Sequence, residues 1–151
     1  MLARHPYEGY DSYYDWLAAD YNLKRHILVN ALESAGGGGV FKAVIPNGGF
    51  FVMAETSNIK FPYEEIANKI TPATPHMEVV ENDGTTKTMM PRDWALSRWL
   101  TTTVGVTAIP PSAFYSQENV PLAADTLRFA FCKNNSSLRK ASQRLNDYNF
   151  S

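Results

Sequence analysis

The segment Thr126-Leu127-Arg128-Phe129-Ala130-Phe131-Cys132-Lys133 leaves the chain few folds to choose from. Side chains of a strand alternate between two faces, so Leu127, Phe129 and Phe131 share one side and Arg128, Ala130 and Cys132 the other. Three large apolar groups in a row require a core beneath them, and a lone cation then looks away from it. A polar break, Asn134-Asn135-Ser136-Ser137, and a short helical pattern follow at once, which sets the strand near an open end of a sheet. An arginine in that place suits a planar anion, because its fork of donors matches a carboxylate through two parallel charge-assisted hydrogen bonds. The competing reading is a structural arginine that ion-pairs with a loop or lies at a sheet edge.

The rest of the chain supplies elements to pack against that strand. Between about Tyr13 and Ala35, Leu17, Tyr21, Leu28, Leu32 and Ala35 recur at helical steps and predict one long helix, with Lys24, Arg25 and His26 on its polar side. Gly36-Gly37-Gly38-Gly39 stops it as a left-handed cap and flexible turn. A phosphate-binding loop would instead follow a strand, open a helix and carry Gly-Lys-Ser/Thr. Val40 to Ile45 and Phe50 to Ala54 read as two antiparallel strands joined by Pro46-Asn47-Gly48-Gly49. Pro62 precedes a short helix, Tyr63 to Ile70, closed by Thr71-Pro72, and Met77 to Val80 with Thr86 to Met89 flank Asn82-Asp83-Gly84, either a second hairpin set apart from the core or a mobile flap.

Pro91 opens a further helix carrying Trp94, Ala95, Trp99 and Leu100 and ending at Gly105; Val106 to Ile109 then forms a short strand that Pro110-Pro111 terminates. Ser112 to Ser116 is a loop with two aromatic rings, Gln117 to Asp125 a polar linker, and Ser137 to Tyr148 a closing helix. These elements predict one α+β domain over residues 1–151, a small mixed or antiparallel sheet covered by helices.

Composition narrows the partners. Lys plus Arg is 14 against 15 for Asp plus Glu, so no net field favours nucleic acid or an anionic membrane, and any anion site is local. A single cysteine excludes an intrachain disulfide, and Met1 to Tyr14 lacks the apolar stretch of a signal peptide, which predicts a cytoplasmic protein. His5, His26, His76 and Cys132 show no metal-ligand spacing, so no metal site is expected. Cys132 could share the face of Arg128, but the reading favoured here is a small buried residue rather than a nucleophile. Ser57-Asn58-Ile59-Lys60 has the Ser-x-x-Lys spacing of one hydrolase family with none of its other motifs, and is taken as chance.

Read together, three groups of residues closely resemble the end of one family: Trp94 to Leu100; Gly105-Val106-Thr107-Ala108-Ile109-Pro110-Pro111-Ser112-Ala113-Phe114-Tyr115; and Leu127 to Lys133 with Leu138, Ala141, Arg144 and Leu145. Tyr21-Asn22-Leu23-Lys24-Arg25 and Pro46-Asn47-Gly48-Gly49-Phe50-Phe51 extend the likeness over nearly the whole chain, with His26 where the family usually has an aspartate. The chain resembles the C-terminal small domain of pyridoxal-phosphate-dependent class I/II aminotransferases, in the group of kynurenine aminotransferase, glutamine transaminase K and cysteine-conjugate β-lyase.

The resemblance implies that Arg128 holds the α-carboxylate of the amino-acid substrate. It also brings the Gly48-Gly49-Phe50 turn and the Phe114-Tyr115 loop near the cleft, so Gly49, Phe50, Phe114 and Tyr115 are the further substrate-side candidates. In the family, pyridoxal phosphate is held by a larger domain that supplies the Schiff-base lysine. No lysine of this sequence matches that position, so the chain alone is expected to bind no cofactor and to lack transaminase activity; the full-length protein would be cytoplasmic or mitochondrial. The alternative is a non-catalytic binding or assembly module that kept the fold and self-associates through the exposed interdomain surface.

Overall fold

The computed structural model describes residues 5–71, 75–80 and 82–150. Helix α1, Tyr13–Ser34, starts where the Ser12 hydroxyl accepts the Asp15 N–H at 3.2 Å, an N-cap reinforced by an acid in the first turn. Its C-terminal half is the buried part, through Leu28, Val29, Ala31 and Leu32. The glycine stop acts at Gly36, whose φ of 59° is one an L side chain adopts poorly. A Cβ there would also lie 2.9 Å from Val40 Cγ2 and 3.0 Å from Phe150 Cδ2, so glycine lets the chain fold back tightly over α1.

Strands β1, Lys42–Val44, and β2, Phe51–Glu55, form the predicted hairpin, and β2 pairs on its other side with β5, Thr126–Ala130. All pairs are antiparallel, and the register sets Met53 opposite Arg128 and Val52 opposite Phe129. One face of this three-stranded sheet is therefore core: Val52, Ala54, Leu127 and Phe129 are at most 2% exposed. Under it lie the buried half of α1 and helix α5, Asn135–Asp147, whose Leu138 and Leu145 are buried. Aromatic rings fasten the layers edge to face, with Phe41 against Phe129 at 5.7 Å and against Phe150 at 5.7 Å.

Helix α2, Tyr63–Ala67, is shorter than the expected Tyr63 to Ile70, and Pro72 lies outside the described residues. Strands β3, Met77–Val80, and β4, Thr86–Met89, pair antiparallel as a separate two-stranded ribbon. Helix α3, Arg92–Trp99, continues as a wider π-turn over Leu100–Val104 to Gly105.

Two expectations are corrected here. Val106 to Ile109 does not form a strand of its own: only Ile109 pairs, by one bridge to Arg128, because Pro110 and Pro111 end the ladder immediately after it. The linker Gln117 to Asp125 holds a short turn and then helix α4, Val120–Ala123, with Pro121 in its first turn. Among the described residues no helix is long and apolar enough to cross a membrane.

Candidate functional site

The buried row Leu127, Phe129 and Phe131 fixes β5 in one orientation, and the same alternation turns Arg128 onto the outer face of the sheet. Its backbone is held on both sides, by the register with β2 and by paired bonds to Ile109 at 2.8 and 3.0 Å. The strand is thus a rigid mount for a half-buried guanidinium.

Two rings clamp that guanidinium. Its Cζ lies 4.3 Å from the centre of Phe51 and 4.7 Å from the centre of Phe114. Stacking on ring faces orients a guanidinium without consuming its N–H donors. Among the described residues it has neither a carboxylate partner nor a side-chain hydrogen bond to the fold, so the loop ion pair considered for Arg128 is not formed among them.

Each ring has its own support. Phe51 precedes by two residues the partner of Arg128 in the register, so it rises on the same face, and Phe50 leans on it with ring centres 4.5 Å apart. Phe114 ends a 3-10 turn, Pro111–Phe114, and is itself 67% exposed, so the ring needs its backbone held from elsewhere. That hold is Asp93. This fully buried carboxylate, at 0% exposure, accepts the Ser112 N–H at 2.8 Å, the Ser112 hydroxyl at 2.9 Å and the Trp94 N–H at 3.0 Å. Burial holds the Asp93 pKa above its ordinary value, an upward shift that those three hydrogen bonds offset only in part.

Of the candidates read from the sequence, the structure brings Arg128 and Phe114 into contact and reaches Phe50 through Phe51. Tyr115 follows Phe114, is 46% exposed and donates its N–H to the Ser112 carbonyl at 3.1 Å. Gly49 closes the hairpin turn with φ 75° and lines a different hollow, about 310 Å³, beside Asn22, Arg25 and Asn47. There Arg25 donates to the Pro46 carbonyl at 2.7 Å and to Asn22 Oδ1 at 2.5 Å, and ties α1 to the turn. Cys132 is exposed, which corrects the buried reading. The strand ends at Ala130 and the chain turns, with the Lys133 N–H bonded to the Phe131 carbonyl at 2.8 Å, so the alternation that would have placed Cys132 stops short of it.

Two contributors escaped sequence reading. Phe51 needs the β2–β5 register before its place beside Arg128 is visible. Asp93 reads as an ordinary first-turn acid, and the signal of its role, the serine in Pro-Pro-Ser-Ala, lies 19 residues away.

No family model matches the chain. It is 37% identical over 136 residues to a kynurenine–oxoglutarate transaminase of Dictyostelium discoideum and 30% identical over 133 residues to a probable kynurenine–oxoglutarate transaminase of Saccharomyces cerevisiae. Each match takes in 88% of this chain but only 27% and 26% of those relatives, so the chain spans about a quarter of their length. Among solved structures, a putative kynurenine aminotransferase from Saccharomyces cerevisiae matches with a TM-score of 0.65 at 29% identity, covering 89% of this chain and 27% of that one. An Escherichia coli protein with a methionine aminotransferase function matches at 0.58 and 26%, covering 88% and 26%.

Proposed function

We propose that this chain, which spans about a quarter of the kynurenine–oxoglutarate transaminases it matches, is the C-terminal, substrate-side domain of such an aminotransferase. The observation that carries the reading is a half-buried arginine with two ring faces beside it and no polar partner among the described residues. A carboxylate approaching the outer face of the sheet meets donors already oriented, so little side-chain entropy is lost on binding. Phe51 and Phe114 limit water around the pair, which strengthens the charge-assisted bonds. Exposed Phe50 and Tyr115 offer apolar surface to the remainder of an aromatic or sulfur-containing amino acid.

Pyridoxal phosphate supplies the electron sink of transamination, and in this reading the remaining length of the relatives holds it. Among the described residues, the groups beside the Arg128 guanidinium are two phenyl rings, which contribute neither an amine for a Schiff base nor an acid for a pyridinium nitrogen. The part of this chain is to bind and orient the carboxylate of the amino acid or 2-oxo acid, and to shield it from water. Alone it turns over nothing.

The 151-residue chain, mixed with pyridoxal phosphate, kynurenine and 2-oxoglutarate, is expected to show no transamination, and borohydride trapping followed by mass spectrometry is expected to find no single modified lysine. A trapped lysine near one per chain, with turnover, would sink the domain reading. Separately, 2-oxoglutarate is expected to shift the NMR signals of the Arg128 side chain and of the Phe51 and Phe114 rings; unmoved signals at saturating ligand would remove Arg128 from the role.

A second reading has its own observation. Val44, Ile45, Phe50, Phe114 and Leu122 are all exposed, and such apolar area suits an assembly module that associates with a second copy. Concentration-dependent light scattering of the chain separates the two: a monomer throughout disfavours the module.

A further inference from the structure

Helix α5 carries Arg139, Lys140 and Arg144 with no acid before Asp147, an imbalance the near-neutral whole does not reveal. Four of the five lysines other than Lys133 and Lys140 are matched, Lys24 with Asp20, Lys42 with Glu55, Lys69 with Glu65 and Lys87 with Glu64. Lys133 and Lys140 form no ion pair among the described residues, yet both line one cleft of about 570 Å³ together with Arg144. Among the described residues no aspartate or glutamate lines it.

The cleft follows from the topology. The outer edge of β5 is bridged at Ile109 alone, and the chain before it does not continue the ladder, so a gap opens between residues 105–107 and α5. Ser137, Lys140, Ala141 and Arg144 recur at helical steps of three and four and form one wall. The floor is apolar, with Leu28, Phe129 and Leu138 buried. Arg144 is already positioned, donating to the Gly105 carbonyl at 2.6 Å. Arg128 also lines the cleft, from β5, but the rings beside its guanidinium, Phe51 and Phe114, do not.

We propose that this cleft binds a small organic anion, its apolar body on the Leu28–Phe129–Leu138 floor and its acidic group between Lys133, Lys140 and Arg144, at a site separate from the one between Phe51 and Phe114. Three cations that line one cleft with no acid among its described lining residues favour an anion there, which adds charge-assisted bonds. An apolar floor adds affinity only for a ligand with a body to cover it.

Phenyl phosphate, inorganic phosphate and phenol, titrated into the 151-residue chain and followed by amide NMR, test the proposal. Phenyl phosphate is expected to shift residues 105–107 and 137–144 saturably and to bind about tenfold more tightly than inorganic phosphate or phenol. The double variant Lys133→Gln/Lys140→Gln, both positions being exposed, is expected to weaken it about tenfold with the unliganded spectrum preserved. Added salt is expected to weaken it too, which repeats the test with no substitution. Equal affinity for inorganic phosphate, meaning an adventitious ion only, would overturn the proposal. So would indifference to the double variant and to salt, shifts centred on Phe51 and Phe114, or no saturable binding at all.

Discussion

Arg92 and Arg128 are both half-buried, and their surroundings differ in kind. Arg92, at the start of α3, donates to the carbonyls of Thr56, Ile59 and Ala124 and to the Thr56 hydroxyl, meets Asp125 at 3.0 Å, and lies over Phe61. The fold uses its donors to join the end of β2, the loop before α2 and the turn before β5. Arg128 has two rings beside it and no polar partner among the described residues. A guanidinium carries five N–H donors that must meet something. Where the chain's own carbonyls meet them the arginine is a tie; where they do not, the donors are left for water or an incoming anion. The difference lies in neighbours from distant segments, not in the residue.

Removing each arginine is the direct way to break that comparison. Arg92→Ala is expected to cost about 2–4 kcal/mol, because several carbonyls lose a charged donor while the largely exposed Asp125 contributes little. Urea unfolding checks this, and a loss near zero would make the two arginines alike. Asp93→Asn is expected to cost about 1–3 kcal/mol at neutral pH, since one end of an amide cannot accept the bonds both carboxylate oxygens receive.

The pH dependence sharpens the second case. Because the folded pKa of Asp93 is raised, the folded state binds its proton more readily than the unfolded state, so this group's contribution falls as pH rises from 3.8 through the raised value and is flat above it. That slope is expected to vanish in Asp93→Asn when urea midpoints are compared across the window. Arg128→Ala is expected to change stability by less than about 1 kcal/mol while abolishing the 2-oxoglutarate shifts. Phe114→Ala, at an exposed ring, is expected to cost only a few tenths of a kcal/mol and to weaken those shifts rather than remove them.

Much of this was legible in the chain. The two-residue alternation of Leu127, Phe129 and Phe131 and the helical recurrence of Leu28, Leu32 and Ala35 define which faces are buried, because a side chain's face follows from local geometry alone. The four-residue helix at Val120–Ala123 was not legible: it is too short to show a period and its middle is a proline. Cys132 was misjudged because alternation says nothing about where a strand ends, and this one ends two residues earlier.

The sequence by itself thus determined that an arginine would stand opposite a buried aromatic row, and that glycine would end α1, since both follow from backbone period and conformational freedom. Only the tertiary structure decided that Phe51 and Phe114 would enclose that arginine, and that Asp93 would hold the turn carrying Phe114. Those contacts depend on the β2–β5 register and on segments up to tens of residues apart. Pairing of that kind is fixed by the burial of a whole core at once, which no window of the sequence contains.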